Sequence, residues 1–419
     1  VHTGLLEYKN VYRPARVISY DKESGELVLH NYMDFDNLKD YVKISYELTQ
    51  DGFVISKGIL PEFSVAPHGE EKTNLKINVP VNGKCYLKLI YHLKKEVPLL
   101  DEDHILGFDE IAVSKDDAKC KLAEKWLQKT AVDSELQVNE NDTQIHIKGR
   151  EFAYTIDKRT ALFTEMKFAG REYLNHPMEL NIWRAPTDND MYIKSEWKKA
   201  HYDKAYTRAY TTEVVQGKHG VKITSHASVV AETVQKILDV TITWKIEAAG
   251  KIDADIAVTK DDEFPDLPRF GVRMFLDKKL SAARYFGMGP QESYCDKHQA
   301  ASHGLYQANV DDLHEDYIRP QENGSHYDCE YVELNNSRYG IVASAEKAFS
   351  FNASYYTQEE LEKKTHNYEL TESDSVVFCV DYALNGIGSN SCGPVVLEQY
   401  RFDDVLFRFQ FTLIPYIKG

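Results

Sequence analysis

At 419 residues the chain has room for two or three domains of about 150 residues each. Hydrophobic residues make up 42% and charged residues 28%, which excludes wholesale disorder and leaves material for sizeable cores. Lys and Arg total 50 against 66 Asp and Glu, a net charge of −16, so nucleic acid and anionic membrane are repelled and a neutral partner fits better.

The chain opens on Val1-His2-Thr3-Gly4, with no initiator Met, basic n-region or apolar h-region. It enters directly into what reads as a connecting segment. No later apolar run approaches the roughly 20 residues that span a bilayer. Period-2 alternation then dominates. Val42, Ile44, Tyr46 and Leu48 alternate with Lys43, Ser45 and Glu47, the pattern of a half-buried antiparallel strand. Asp51-Gly52 and Asn82-Gly83 supply hairpin-type turns. Ser114 is placed to cap a helical stretch through Lys129, with Leu122, Trp126 and Leu127 as its apolar stripe. The charged segment from Lys115 to Lys129 and the polar one from Asp133 to Asp142 break the strand rhythm, so the domains are expected at 1–115 and 136–419, with a linker at 116–135.

Beyond the linker, alternation returns at Leu238/Val240/Ile242/Trp244/Ile246, Ile252/Ala254/Ile256/Val258, Phe270/Val272/Met274/Leu276 and Val405/Phe407/Phe409/Phe411/Leu413. Thr357 with Glu360 forms a capping box ahead of Leu361. The fold class expected is all-β. The first part suits a small sandwich, and the second is large enough for an extended sheet-on-sheet domain. Six cysteines, Cys85, Cys120, Cys295, Cys329, Cys379 and Cys392, are too sparse for a disulfide scaffold and read as reduced thiols in the cytoplasm.

Several constellations could carry chemistry. Asn181-Ile-Trp183-Arg184-Ala-Pro186-Thr187-Asp188-Asn189-Asp190 gathers an aromatic ring, a guanidinium and carboxylate or amide groups at a turn, which suits a sugar's hydroxyls and C–H face. Equally, it could be an Asx-rich turn with Arg184 paired to a nearby Asp. It lacks the spacing, glycine and closing glutamate of a calcium loop. Phe286-Gly-Met-Gly-Pro-Gln-Glu292-Ser-Tyr294 lacks the third glycine and the βαβ context of a dinucleotide fingerprint, so it reads as a turn. Glu292 in it is either a catalytic carboxylate or a hydrogen-bonded structural residue. Cys295-x2-His298 and His326-x2-Cys329 could complete a tetrahedral zinc site, against a default of hydrogen-bonding histidines. The Gly/Ser/Asn stretch from Asn385 to Pro394 is a long loop that either binds or merely connects. No Ser-His-Asp order specifies a triad.

Arg184-Ala-Pro-Thr-Asp-Asn-Asp190, Gly287-Met-Gly-Pro-Gln-Glu-Ser-Tyr294, Arg319-Pro-Gln-Glu-Asn-Gly324 and Gly388-Ser-Asn-Ser-Cys-Gly-Pro394, in this order, resemble the C-terminal small-chain region of bacterial glycoside hydrolase family 2 β-galactosidases. Leu6-Glu-Tyr-Lys-Asn-Val-Tyr-Arg-Pro14 is similar to that family's exit from its catalytic barrel. The resemblance implies an immunoglobulin-like β-sandwich followed by a large galactose-mutarotase-like antiparallel supersandwich. It also implies that both catalytic glutamates of the retaining mechanism belong to a (β/α)8 barrel. No alternating strand and helix pattern of a barrel's length occurs in this chain, so no catalytic residue and no metal ligand is assigned to it. Magnesium and sodium are expected in the barrel part.

By the same resemblance, Asp188, Asn189, Asp190, Asn390 and Cys392 are the substrate-binding candidates. Cys392 stands where the best-known members carry a Trp that stacks on the sugar, and Met191-Tyr192 follow where a Gly is usual in a mobile loop. The partners implied are a galactoside and the barrel part of the same enzyme. Family members are often oligomers, so a homo-oligomer is a further expected partner. The missing Met leads us to expect the rear part of a longer enzyme, cut from it rather than a natural small subunit and hydrolytically inactive alone. Two other classes remain open at this point: a free-standing carbohydrate-binding module, and a mutarotase-type enzyme using His298, His303 or His326 as base.

Overall fold

Alternating segments bury one face and wet the other, and in the computed structural model they pair antiparallel. The structure describes residues 2–115, 117–127, 136–388 and 393–418. They form two compact units. One holds the chain up to Glu124 with Phe286–Gln291 and His298–Tyr306, and the other holds Lys125–Tyr285 and Glu292–Lys297 with the chain from Gln307 onward.

In the first unit, four strands pair in the order Phe53–Ile59, Val42–Gln50, Cys85–Leu93, Ile105–Ala112, and three in the order Ala15–Tyr20, Glu26–Asn31, Glu70–Asn74. Leu27 and Leu29 of the smaller sheet share one core with Ile44, Leu48, Leu87 and Leu89 of the larger, giving a seven-stranded immunoglobulin-like sandwich. Asp51 and Gly52 both take positive φ, 52° and 84°, as a tight two-residue hairpin requires. Asn82-Gly83 corrects the expectation of a second hairpin. It leads from Glu70–Asn74 to Cys85–Leu93, which lie in different sheets, so this turn crosses the sandwich.

The chain's start is a helix, Thr3–Val11, where a connecting segment was expected. Its apolar residues Leu5, Tyr8 and Val11 are exposed, so polar contacts hold it. Asn10 Oδ1 accepts from the Phe108 amide (2.7 Å), and the Glu7 carboxylate accepts from the amides of Gln299 (2.7 Å) and Ala300 (2.8 Å).

The second unit is built on a long antiparallel sheet whose path runs Leu174–Asn181, Arg269–Asp277, Ser375–Leu384, Tyr339–Ser354, Leu406–Ile417, Ile252–Lys260, Leu238–Glu247, Gly220–Val230, Tyr206–Gln216. Tyr339–Ser354 organises it. Residues 339–344 pair with Leu406–Ile417, residues 350–354 with Ser375–Leu384, and the opposite edge with Ser325–Asn335. A five-stranded meander from Gln137–Glu140 to Arg171–Glu172 packs over this sheet. There Phe163 meets the fully buried Trp244 edge-on at 4.9 Å.

The helix expected from Ser114 is realised only as Lys121–Leu127. Ser114 lies seven positions before its first residue and cannot cap it, and Lys129 falls outside the described residues. Thr357 does cap Gln358–Lys363, its Oγ1 accepting from the Glu360 amide (3.1 Å). The box is not closed, because Glu360 Oε1 accepts from the Thr371 amide instead (2.9 Å). No described helix is long and apolar enough to cross a membrane. Cys85, Cys120, Cys295, Cys329 and Cys379 are free thiols.

Candidate functional site

The strand Leu174–Asn181 ends ahead of Trp183-Arg184-Ala-Pro186, and the chain then enters a 3-10 turn, Asp188–Met191. Arg184 is 0% exposed and Asp190 3%. Arg184 Nη2 donates to Asp190 Oδ1 (2.7 Å) and Nε to Oδ2 (3.2 Å), a bidentate pair in a desolvated site. Asp190 Oδ2 also accepts from the Thr187 amide (2.9 Å), and the guanidinium lies over the Trp197 ring at 5.2 Å. Asp190 is therefore occupied as the counter-charge of Arg184, the Asx-turn reading.

What this pair supports is the loop that follows Ser375–Leu384. Arg184 Nη1 donates to the Asn385 carbonyl and Nη2 to that of Gly386 (3.1 Å). Asn189 Nδ2 donates to the Ile387 carbonyl (2.7 Å). From another element, Asp296 Oδ1 accepts from the Ile387 amide (3.0 Å) and Oδ2 from that of Gly388 (2.7 Å). Glycine is needed for this approach, since a Cβ on Gly386 or Gly388 would stand 2.7 or 2.9 Å from Asp296 Oδ2. The loop base is tied further by the Asn385 amide to the Pro268 carbonyl (3.0 Å), the Gly386 amide to that of Tyr400 (2.8 Å), and the Phe402 amide to Asn385 Oδ1 (2.9 Å). Four consecutive residues are thus gripped from three side chains.

Of the five sequence candidates, the structure brings Asn189 and Asp190 to this clamp and to a cleft of about 490 Å³, also lined by Tyr192, Glu196, Asn385 and Arg401. Asp188 sits at the surface beside Gln321, whose Nε2 donates to its Oδ2 (3.2 Å), and 3.7 Å from Arg319. Asn390 and Cys392 lie outside the described residues. Asp296 was not foreseen. The only hint was the Gly-Ile-Gly spacing at 386–388, which signals close approach by another group.

Two further buried charge clusters lie in the same unit. Arg269 pairs with Glu322 (3.1 Å) and Asp381 (3.2 Å), all nearly inaccessible. Burial outweighs the attraction of Arg269 and lifts the Asp381 carboxyl to about 7. Glu292, the sequence candidate for a catalytic carboxylate, is buried and accepts from the Lys297 ammonium, the Tyr317 hydroxyl and the Gly324 amide (2.8 Å). Burial alone would raise it, but these partners hold it below the usual carboxylate range. Its structural reading is the one realised.

The Cys/His pattern does not assemble a zinc site. Among the described residues no group of three or more His, Cys, Asp or Glu is arranged to hold a metal ion. His326, 1% exposed, packs between Tyr285 (4.5 Å) and Phe351 (5.0 Å), and the Cys329 thiol donates to the His326 carbonyl (3.5 Å). His303 stacks on Tyr86 (4.2 Å) and bonds Glu110 (2.7 Å).

Residues 148–413 match the family model described as beta galactosidase small chain, and residues 27–114 that described as beta-galactosidase, domain 4. The chain is 42% identical over 415 residues to a beta-galactosidase of Actinobacillus pleuropneumoniae, covering 99% of this chain and 40% of that protein. It is 30% identical to one of Staphylococcus xylosus, covering 98% and 41%. The chain thus spans about two-fifths of the length of the curated relatives it matches. A solved galactose 1-epimerase from Lactobacillus acidophilus shows a distant likeness, with 8% identity over 69% of this chain and 100% of that one and a TM-score of 0.37.

Proposed function

The chain belongs to the beta galactosidase small chain family, and from that premise we propose that it forms the non-barrel part of a retaining glycoside hydrolase family 2 β-galactosidase acting on terminal β-D-galactosides. In this reading the two catalytic glutamates, and the magnesium and sodium, reside in a (β/α)8 barrel supplied outside these residues. The chain completes the substrate pocket and stabilises the enzyme. Its partners are the galactoside, the barrel part and further copies of the same enzyme, and its compartment is the cytoplasm.

The observation that supports this reading is the clamp on residues 385–388. Arg184, Asn189 and Asp296 spend buried or oriented polar groups on fixing the base of a loop at a sheet end. A merely solvated connection would not need such fixing. In sequence these residues are followed by Asn390 and Cys392, the positions the resemblance brings to the sugar. Asp190 and Asn189 then act through the loop, as positioning residues. Asp188, at the surface beside Gln321 and Arg319, takes no part in the clamp.

Deletion of this region from the longer enzyme tests the reading. Turnover of a chromogenic β-galactoside should be lost while the barrel part stays folded by circular dichroism. Full turnover after deletion would overturn it.

A further inference from the structure

The segment from Val395 to Phe402 borders two clefts. One is the cleft beside Asn189. The second, of about 320 Å³, lies over the strands Ser325–Asn335, Tyr339–Ser354 and Ser375–Leu384, and its lining includes Tyr327, Asp328, Tyr382, Tyr400, Arg401 and Asp404. That volume falls at the lower end of the roughly 300–1,000 Å³ typical of small-molecule sites.

Tyr382 and Arg401 are held in place. The Tyr382 ring stacks on Phe407 at 4.8 Å and 15° and is braced by Phe402 at 5.8 Å. Arg401 is oriented by the bond from its Nε to the Val396 carbonyl (3.0 Å). Among the described residues, no hydrogen bond or ion pair engages the hydroxyls of Tyr382 and Tyr400 or the carboxylate of Asp404. A braced aromatic ring and an oriented guanidinium beside available hydroxyl and carboxylate groups match a ligand with an apolar C–H face and a rim of hydroxyls. An anion would meet two carboxylates against one guanidinium, in a chain of net charge −16. A wholly apolar ligand would strand the polar groups without partners.

We propose that this cleft is a saccharide site, taking a neutral pyranoside and distinct from the cleft beside Asn189. It rests on the galactosidase reading only for the choice of first probe.

The test is saturation-transfer NMR of the 419-residue chain with methyl β-D-galactopyranoside and lactose at about 10 mM. Transfer to the sugar ring protons is expected. Tyr400→Ala and Asp404→Asn should each weaken binding by at least about fivefold, the scale of one aromatic contact, while Asp142→Ala, in the exposed turn between Gln137–Glu140 and Gln144–Lys148, leaves it unchanged. Gln399, which also lines the cleft, and Asp404 are exposed, so weakened binding in Gln399→Ala and Asp404→Asn gives the answer even if Tyr400→Ala does not fold. No transfer, binding indifferent to these substitutions, or displacement of the sugar by a protonated amine would each overturn the proposal. Failure here leaves hydrolysis by the longer enzyme untouched, so it is separable from failure of the galactosidase reading.

Discussion

Replacing Arg184 by Ala strips the counter-charge from Asp190 while leaving that carboxylate 3% exposed. Breaking a buried pair from one side costs about 3–5 kcal/mol, because the remaining charge has lost both water and partner. The carbonyls of Asn385 and Gly386 lose their charged donor as well, but these losses share one side chain and do not simply add. At about 2–4 °C per kcal/mol for a domain of this kind, the melting temperature should fall by roughly 6–20 °C. Differential scanning calorimetry measures it directly. Arg184→Lys should recover only part, since an ammonium cannot reproduce the bidentate fork and the two carbonyl bonds together. Adding Asp190→Asn to Arg184→Ala should restore stability relative to the single variant. A shift under about 2 °C, or no coupling between the two positions in that cycle, would refute the claim that Arg184 and Asp190 are one structural unit.

Asp296→Ala removes the acceptors of the Ile387 and Gly388 amides, bonds to a charged group worth about 1.5–3 kcal/mol each. In the longer enzyme it should raise KM for a chromogenic galactoside several-fold, and Asp296→Asn, which keeps one carbonyl acceptor, should rescue part. Unchanged KM separates Asp296 from the pocket. Burial lifts the Asp381 carboxyl to about 7, so the folded state holds a proton that the unfolded state releases. The stability this gives is complete below about pH 4 and is lost as pH rises through about 7. Urea unfolding of Asp381→Asn should therefore show a flatter dependence between those limits, and an unaltered slope contradicts the assignment. Thr357→Ala removes the cap of Gln358–Lys363 and should cost about 0.5–2 kcal/mol in the same assay.

Strands with one wet face were legible. Val42–Gln50 and Leu238–Glu247 lie where alternation put them. Arg269–Asp277 was also found by its apolar set, but its other face is buried too, because Arg269 and Arg273 meet carboxylates across it. Spacing along one strand carries no trace of partners some 50 to 110 residues away. The helix Thr3–Val11 was missed for the opposite reason, having no buried apolar stripe to announce it and depending on Glu7 and Asn10 instead.

At the site, composition flagged Asp188 to Asp190 as a trio but could not divide their labour. Burial separates Asp190, an ion-pair partner, from Asp188, exposed at the surface. Asp296 stood in no motif, and its role depends on a loop 91 residues away that only the fold brings near.

If this chain completes a galactosidase whose catalytic carboxylates lie elsewhere, add-back should restore turnover. A β-galactosidase polypeptide lacking this region is assayed on a chromogenic β-galactoside alone, and again with the purified 419-residue chain. Neither part should hydrolyse by itself and the mixture should. Robust hydrolysis by the 419-residue chain alone would contradict the account.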